Sequence, residues 1–160
     1  DNDNYAKAVA ALSAGGEDLT ELIRAAALVK GGIVTRDFRE SGERRKLNLG
    51  HTFAHAIEHL AQEHGDDIAH GEAVAMGMGL AARLSEKCGL AENGLAECLR
   101  SDFVSCGLRV ECPYGIEEMS AAMGKDKKAD GAEVNFVLIR SVGDVTTQKM
   151  KPAEVAEMLK

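Results

Sequence analysis

Only two prolines, Pro113 and Pro152, interrupt this chain of 160 residues. Proline is the residue that an α-helix tolerates least in its interior, whereas alanine, which is abundant here, has the highest helix propensity. Apolar residues also recur at helical spacing. Helices are predicted at about residues 18–29, 48–63, 71–88, 92–99 and 116–123. Gly31-Gly32 is predicted to end the first helix, and the charged stretch 35–46 is predicted to form a structured loop.

The C-terminal part of the chain changes from helical to strand-like periodicity. Apolar residues alternate over 134–142, and Gly143-Asp144 is a turn signal between two short strands. Pro152 then predicts the start of a last short helix, because proline is accepted in a first turn. The sequence therefore predicts a mainly α, single-domain chain over residues 1–160, with a small β-hairpin near residues 134–148.

Composition excludes several classes of function. The formal net charge of −7 argues against a nucleic-acid partner, because such binding depends on neutralising phosphates. Aromatic residues make up 4% of the chain and tryptophan is absent, so platforms for base stacking are lacking. No membrane contact is predicted, since no apolar run of about 18 residues and no basic amphipathic helix occurs.

The start of the chain and its cysteines indicate the compartment. The sequence begins at Asp1 without an initiator methionine or a signal-peptide pattern, which we interpret as a fragment of a cytoplasmic protein. Four cysteines occur, namely Cys88, Cys98, Cys106 and Cys112. None of them forms a C-x-x-C pair, so we expect reduced, partly buried thiols rather than disulfides.

Four of the five histidines lie within residues 51–64. His51, His55 and His59 recur every four residues, so on a helix their Cβ atoms would be neighbours about 5–6 Å apart. Two neutral imidazoles on one helix face are a common start for a transition-metal site. A His-x-x-x-His pair by itself is more often solvated or satisfied in the core. No H-E-x-x-H motif occurs, so a zinc-protease interpretation lacks its general base.

His70 strengthens the metal interpretation. A twelve-residue helix after His51 would advance about 18 Å and the six residues 64–69 can span about 20 Å, so the chain can double back. A catalytic zinc uses three protein ligands and keeps one position open, so two histidines leave one ligand missing. Glu58 and Glu72 are nearby carboxylates that could supply it or could orient an imidazole. The third ligand could also lie outside the chain.

Candidates for anion binding lie near these histidines. Lys30, Arg44 and Asn48 precede or open the His51 helix, where unpaired backbone N–H groups and the helix dipole favour an anion. A second cationic cluster follows at Lys125, Lys127 and Lys128. Each cluster alone is more often solvated surface, since charged residues are mostly exposed. Together with a pair of metal-ligating histidines, they suit an acidic, phosphorylated, polyhydroxylated substrate.

Two motifs carry a resemblance to a known family. The segment Arg44–Glu58 (RRKLNLGHTFAHAIE), followed by His70–Met78 (HGEAVAMGM), resembles the signature of the 3-dehydroquinate synthases, which are sugar-phosphate cyclases. The resemblance covers roughly residues 18–145 and is most specific in its first half. Further matches are Lys30, Ile33-Val34, Asp37, Glu40, Asp126-Lys127-Lys128 and Val142-Gly143. The sequence departs from the family at Ala54, often glycine, at Phe38, often acidic, and in a longer segment between the two histidine motifs.

The resemblance implies roles for particular residues. His51 and His70 would be ligands of zinc or cobalt. The family's third ligand is a glutamate upstream of Lys30, and residues 1–29 contain no match to it. The catalytic residues implied are Lys30, Glu40, Arg44, Asn48 and His55. The substrate- and phosphate-binding residues implied are Lys30, Arg44, Asn48, His55, Lys127 and Lys128.

The resemblance also implies an activity. The chain would be the C-terminal helical domain of a lyase that converts 3-deoxy-D-arabino-heptulosonate 7-phosphate to 3-dehydroquinate and phosphate, in the shikimate pathway to chorismate and the aromatic amino acids. NAD would carry the redox chemistry from an N-terminal domain absent here, and zinc would act as a Lewis acid. The full-length enzyme would be a homodimer, and the chain alone inactive. The alternatives are another sugar-phosphate cyclase, such as 2-deoxy-scyllo-inosose synthase, or a non-catalytic metal-binding helical module.

Overall fold

A computed structural model describes residues 2–16, 18–125 and 132–160 of the chain. The α-helices are α1 (Asn2–Ser13), α2 (Thr20–Arg36), α3 (His51–His64), α4 (His70–Lys87), α5 (Leu95–Ser105), α6 (Ile116–Lys125) and α7 (Pro152–Leu159). A 3-10 helix covers Glu43–Asn48, and the two strands are β1 (Val134–Ser141) and β2 (Asp144–Met150). The predicted mainly α chain with one small β-hairpin is confirmed. Among the described residues, no helix combines the length and the apolar character that crossing a membrane requires.

The end of α2 differs from the prediction. The helix continues through Gly31-Gly32 to Arg36, so the prediction that these glycines end it was wrong. Neither glycine adopts the positive φ that ends many helices, and the Thr35 hydroxyl donates a hydrogen bond to the carbonyl of Gly31 at 2.8 Å. The predicted loop over 35–46 is therefore shorter and contains the start of the 3-10 helix. Helix α1 was not predicted.

Helices α3 and α4 form the centre of the core. The buried residues of α3 are Phe53, Ala54, Ala56, Ile57, Leu60 and Ala61, and those of α4 include Ala73, Met76, Ala81 and Leu84. The two helices run in opposite directions and approach closely where Gly50, just before α3, meets Gly77 of α4. A Cβ on Gly77 would lie 2.3 Å from the carbonyl oxygen of Gly50, which leaves no space for any larger residue. Gly50 itself has a φ of 80°, a conformation that favours glycine.

The β-hairpin covers one side of this helix pair. Strands β1 and β2 are antiparallel, with Val134 opposite Met150. The Phe136 ring packs against Phe53 of α3, with 5.3 Å between the ring centroids. The fully buried Ser85 hydroxyl accepts a hydrogen bond from the backbone N–H of Ile139 at 2.8 Å and donates one to the carbonyl of Ala81 at 2.6 Å. Because both of its partners are buried, this hydroxyl attaches the hairpin to α4 specifically.

Helix α2 packs differently from α3 and α4. It has no buried residue along its whole length. Ile23 and Leu28 are 66% and 68% exposed, and Phe38, two residues after the helix, is 79% exposed. Helix α2 contacts α1 and the 3-10 helix, whereas the core elements contact one another. The fold therefore consists of a packed body and a helix, α2, that lies at its edge.

Candidate functional site

Three of the histidine side chains predicted for the site come together at the surface of the helix pair. The ring centroids of His51 and His70 are 5.5 Å apart, and those of His51 and His55 are 5.9 Å apart, both edge to face. His51 begins α3 and His70 begins α4, so the doubling back of the chain that this pair requires does occur. We refer to His51, His55 and His70 as the histidine cluster.

The remaining two histidines have other partners. The Nε2 atom of His59 lies 3.3 Å from Glu63, and that of His64 lies 2.9 Å from Glu118 on α6. These contacts agree with the alternative stated above, in which a surface histidine contacts a nearby polar group and does not bind a metal ion. The i+4 periodicity alone therefore does not select the residues of the cluster, because it includes His59 and leaves out His70.

Hydrogen bonds assign the two nitrogens of His51 and His70 to different tasks. The Nδ1 atom of His51 lies 3.2 Å from the carbonyl oxygen of Leu49, and that of His70 lies 2.8 Å from Oε1 of Glu58. A carbonyl or an ionised carboxylate can only accept, so each Nδ1 must carry the hydrogen. In the neutral ring, each Nε2 then keeps its lone pair. Two adjacent imidazoles with free Nε2 lone pairs are a donor set that fits zinc or cobalt.

The nearby carboxylates are occupied by other contacts. Glu58 binds His70, and Oε2 of Glu72 accepts the backbone N–H of Ala69 at 3.1 Å, which caps the start of α4. Within residues 2–16, 18–125 and 132–160, no group of three or more His, Cys, Asp or Glu side chains is placed to hold a metal ion. Among these residues, His51 and His70 are therefore candidates for two ligands of a metal site, and no third candidate side chain is placed beside them.

The polar residues that precede α3 form a second group, the Asp37–Asn48 loop. Oε1 of Glu40 accepts a hydrogen bond from the side-chain amide of Asn48 at 2.8 Å, and Oε2 lies 3.9 Å from Nε of Arg44. Arg44 also donates to the carbonyl of Phe38 at 2.8 Å. Glu40 has a φ of 55°, which is costly for a residue with a side chain. Three of the predicted catalytic residues, Glu40, Arg44 and Asn48, therefore lie in one contact network.

Asp37 organises this loop, a role that the sequence reasoning missed. Its carboxylate accepts the backbone N–H groups of Ser41, Gly42 and Arg44 at 2.9, 2.8 and 3.0 Å. The N–H groups of Arg44, Gly42 and Ser41 stabilise the ionised form and lower the pKa of Asp37 to about 2. An aspartate followed by a Ser-Gly turn is a recognisable signal for such a loop, and this signal could have identified it.

The other predicted site residues lie farther out or outside the described residues. Lys30 is exposed on α2, and its side chain makes no hydrogen bond or ion pair within the described part of the chain. The end of α2 is tied to the 3-10 helix by Arg36 and Glu43, whose two hydrogen bonds are both 2.9 Å long. Hydrogen bonding from Arg36 lowers the pKa of Glu43. Lys127 and Lys128 lie outside the described residues.

A cleft of about 770 Å³ opens elsewhere, between α4, α5 and the segment 110–116. Its floor is apolar, with Met76, Phe103 and Met119, and its rim carries Arg83 and Arg100. It contains none of the predicted site residues. The histidine cluster and the Asp37–Asn48 loop are instead open to solvent, and we consider them the candidate site because their hydrogen bonds and donor atoms support a chemical role.

Two solved structures share the fold of this chain. One is 2-epi-5-epi-valiolone synthase from Streptomyces hygroscopicus subsp. jinggangensis with NAD+ and Zn2+ bound, at a TM-score of 0.73 and 24% identity, covering 96% of this chain and 45% of that one. The other is 2-deoxy-scyllo-inosose synthase in complex with carbaglucose-6-phosphate, NAD+ and Co2+, at a TM-score of 0.70 and 22% identity, covering 86% and 40%. The chain therefore shares its fold with parts of these two synthases.

Sequence comparison identifies the family to which the chain belongs. The family model for the 3-dehydroquinate synthase C-terminal region matches residues 3–129, and the chain belongs to this family. The 3-dehydroquinate synthase of Bradyrhizobium diazoefficiens is 38% identical over 157 residues, and that of Nitrosospira multiformis is 41% identical over 138 residues. These matches cover 91% and 86% of this chain, but the chain spans only 41% and 37% of the relatives' lengths.

Proposed function

We propose that this chain is the metal- and substrate-binding part of a 3-dehydroquinate synthase, a lyase that converts 3-deoxy-D-arabino-heptulosonate 7-phosphate to 3-dehydroquinate and phosphate. The observation that carries the proposal is the approach of His51 and His70 to 5.5 Å, with Nδ1 of each ring used by a hydrogen bond. Membership of the family supports the same reaction. The pathway would be the shikimate pathway.

The residues of this chain would bind and orient the substrate. His51 and His70 would hold zinc or cobalt, which supplies a Lewis acid for substrate oxygens. Arg44 and Lys30 carry positive charge for the substrate's carboxylate, and His55 and Asn48 offer polar contacts to its hydroxyl and phosphate groups. Glu40, held by Asn48, would fix the position of this amide and of Arg44. Lys127 or Lys128 would bind phosphate.

The proposal includes partners that this chain does not contain. NAD would be bound mainly by an N-terminal domain, which would also supply the third metal ligand, and the full-length enzyme would be a cytoplasmic homodimer. Support comes from the fact that the chain spans only 41% of the length of the Bradyrhizobium relative, and from the NAD+ bound in both structural neighbours. Since the described residues do not place three metal ligands together, the site would be incomplete, and we expect the isolated chain to be inactive.

The function is tested with a chimaera in which this chain replaces the matching C-terminal part of the Nitrosospira multiformis relative. Phosphate release from the heptulosonate phosphate is measured with NAD and zinc present. We expect turnover by the chimaera, loss of turnover in the chimaera carrying His51→Ala, and none from the 160-residue chain alone. A folded chimaera without turnover would contradict the proposed reaction, and turnover by the chain alone would contradict the need for a second domain.

A second candidate is a different sugar-phosphate cyclase. The observation that favours it is the fold, because both structural neighbours described above are named as synthases of other products. The same chimaera distinguishes the two when glucose 6-phosphate, the parent of the carba-analogue bound to the inosose synthase, competes with the heptulosonate phosphate. The dehydroquinate synthase proposal requires that the heptulosonate phosphate is turned over and that the hexose phosphate is not.

A further inference from the structure

Glu58 connects the two helices of the candidate metal centre. It lies on α3, about two turns after His51. Its Oε1 atom is 2.8 Å from Nδ1 of His70, the first residue of α4. This contact crosses the turn between the helices and joins a residue of the helix body to one at a helix end.

We propose that Glu58 is the positioning residue of the metal centre, because it holds His70 in the tautomer that carries hydrogen on Nδ1 and keeps the Nε2 lone pair for the metal. This inference rests on the function proposed above, in which His70 is a metal ligand. Glu58 does not touch the metal in this arrangement. It acts through the imidazole of His70, whose orientation and basicity it sets.

The surroundings explain why His70 needs such a partner. Its side chain is 59% exposed and stands at the first position of a helix, so packing does not select one rotamer. The Glu58 side chain is less exposed, at 34%, and its neighbour Ile57 is fully buried in the core. The carboxylate is therefore attached to the rigid body of the fold, and through it the exposed ring acquires a defined position.

His51 provides an internal comparison. Its Nδ1 atom is engaged by the backbone carbonyl of Leu49, two residues earlier in the chain. No side-chain substitution can remove that carbonyl, whereas the equivalent acceptor for His70 is a single carboxylate. The two proposed ligands thus reach the same tautomer by different means, and only the tautomer of His70 depends on a replaceable side chain.

The alternative role for Glu58, that of third metal ligand, fits the structure less well. The carboxylate already faces Nδ1 of His70, the nitrogen that does not serve the metal. Glu58, His51 and His70 also do not form a group placed to hold a metal ion together, within the residues that the structure describes. A positioning role for Glu58 is consistent with its hydrogen bond to His70, whereas a role as metal ligand would require that this hydrogen bond is broken.

The first experiment measures the tautomer of His70 in the zinc-free 160-residue chain by long-range 1H–15N NMR. The pH is set to about 8, where an ordinary histidine is neutral. We expect the Nδ1–H form in the wild-type chain and in Glu58→Gln, whose carbonyl oxygen still accepts. Glu58→Ala should shift His70 towards the Nε2–H form that dominates in free histidine. An unchanged His70 tautomer in Glu58→Ala would overturn the proposal.

A control is available in the Glu118–His64 contact, a second carboxylate–imidazole pair, which is 2.9 Å long, uses Nε2 of the ring and lies outside the histidine cluster. Glu118→Ala should alter the signals of His64 and leave those of His70 unchanged. A change at His70 in this control would mean that the effect of Glu58→Ala reflects a general loss of structure, which would remove the support for positioning.

The second experiment titrates zinc into the same variants by calorimetry. Loss of a hydrogen-bonded partner behind a histidine ligand lowers metal affinity by roughly 10- to 100-fold, and we expect this for Glu58→Ala. Glu58→Gln should retain most of the affinity, and Glu118→Ala all of it. If Glu58→Ala and Glu58→Gln both abolish binding as completely as His70→Ala, Glu58 is a direct ligand and the positioning role is wrong.

The two experiments separate this inference from the proposed function. Zinc binding that is equal in the wild-type chain and in a His51→Ala/His70→Ala variant would contradict the metal centre. The tautomer is measured without zinc, so it decides the role of Glu58 independently. A chain that binds zinc through both histidines, but whose His70 tautomer ignores Glu58, would retain the proposed function and overturn the inference.

Discussion

The histidine cluster and the Asp37–Asn48 loop adjoin each other in the chain, yet they are stabilised in different ways. The cluster stands on α3 and α4, whose facing residues are buried and whose backbones meet at Gly50 and Gly77. The loop follows α2, which has no buried residue, and it depends on the carboxylates of Asp37 and Glu40. One group of site residues is thus supported by the core, and the other by surface hydrogen bonds.

This difference indicates which half of the site is preformed in the chain. Packing of apolar groups is collective and resists local change, so the helices that carry the cluster should keep their positions as long as the domain is folded. Exposed hydrogen bonds are individually weak because water competes for the same groups. The loop should therefore respond to substitutions that leave the domain's stability unaltered, and the cluster should respond to substitutions in the core.

The largest difference in the free energy of unfolding is expected between substitutions of an isoleucine in the core and of an isoleucine on α2. Ile57 of α3 is fully buried, whereas Ile23 of α2 is 66% exposed. Ile57→Ala should lower the free energy of unfolding by about 2–5 kcal/mol, through lost burial and the cavity left behind. Ile23→Ala should change it by no more than about 0.5 kcal/mol. Urea denaturation of both variants measures this, and comparable losses would show that α2 belongs to the core.

A smaller effect is expected where the two helices touch. Gly77→Ala would bring a Cβ to 2.3 Å from the carbonyl oxygen of Gly50, and neither backbone can move freely. We expect a loss of about 1–3 kcal/mol in the free energy of unfolding, together with a changed His51–His70 distance and weaker zinc binding. The measurements are denaturation and zinc calorimetry.

The control for this prediction is Gly79→Ala on the same helix. Apart from the adjacent turns of its own helix, nothing in the described part of the chain lies within 4 Å of a Cβ placed there, so alanine should stabilise the helix by up to about 1 kcal/mol. If both glycine variants lose stability equally, the close approach of the helices is not what supports the cluster, and the comparison drawn above fails.

The smallest effect on stability is expected at Asp37, where the consequence is local. Asp37→Asn removes the ionised acceptor of three backbone N–H groups. The amides of Ser41, Gly42 and Arg44 should exchange with solvent several-fold faster, while the thermal midpoint of the domain stays the same. Asp18→Asn is the matched control, because among the described residues Asp18 accepts one backbone N–H, that of Thr20 at 2.9 Å.

The hydrogen bonds to the Asp37 carboxylate also predict that the structure of the loop depends on pH. Because the pKa of Asp37 is lowered to about 2, its carboxylate should hold the loop at any pH above about 4 and release it as the pH falls through about 2. The amide chemical shifts of Gly42 and Arg44 should titrate with that midpoint. A midpoint near 4 would mean that the carboxylate is not engaged in solution.

Much of the fold could be predicted from the sequence, for identifiable reasons. The apolar stripes of α3 and α4 and the alternation around Phe136 are strong local signals, since helix and strand periods differ. The end of α2 was not predictable from Gly31-Gly32, because a glycine ends a helix only where the chain adopts a positive φ, and tertiary and local contacts decide that. The resemblance to the family identified the motif residues of the site, but it did not predict which of their side chains contact one another.

The sequence by itself determined the mainly α character, the β-hairpin and the family, because propensity, periodicity and motifs are properties of short segments. Only the tertiary structure decided which histidines meet and that Glu58 is the partner of His70. These contacts join residues whose distance depends on how α3 and α4 cross. Such distances result from packing the whole domain, and no local stretch of sequence encodes them.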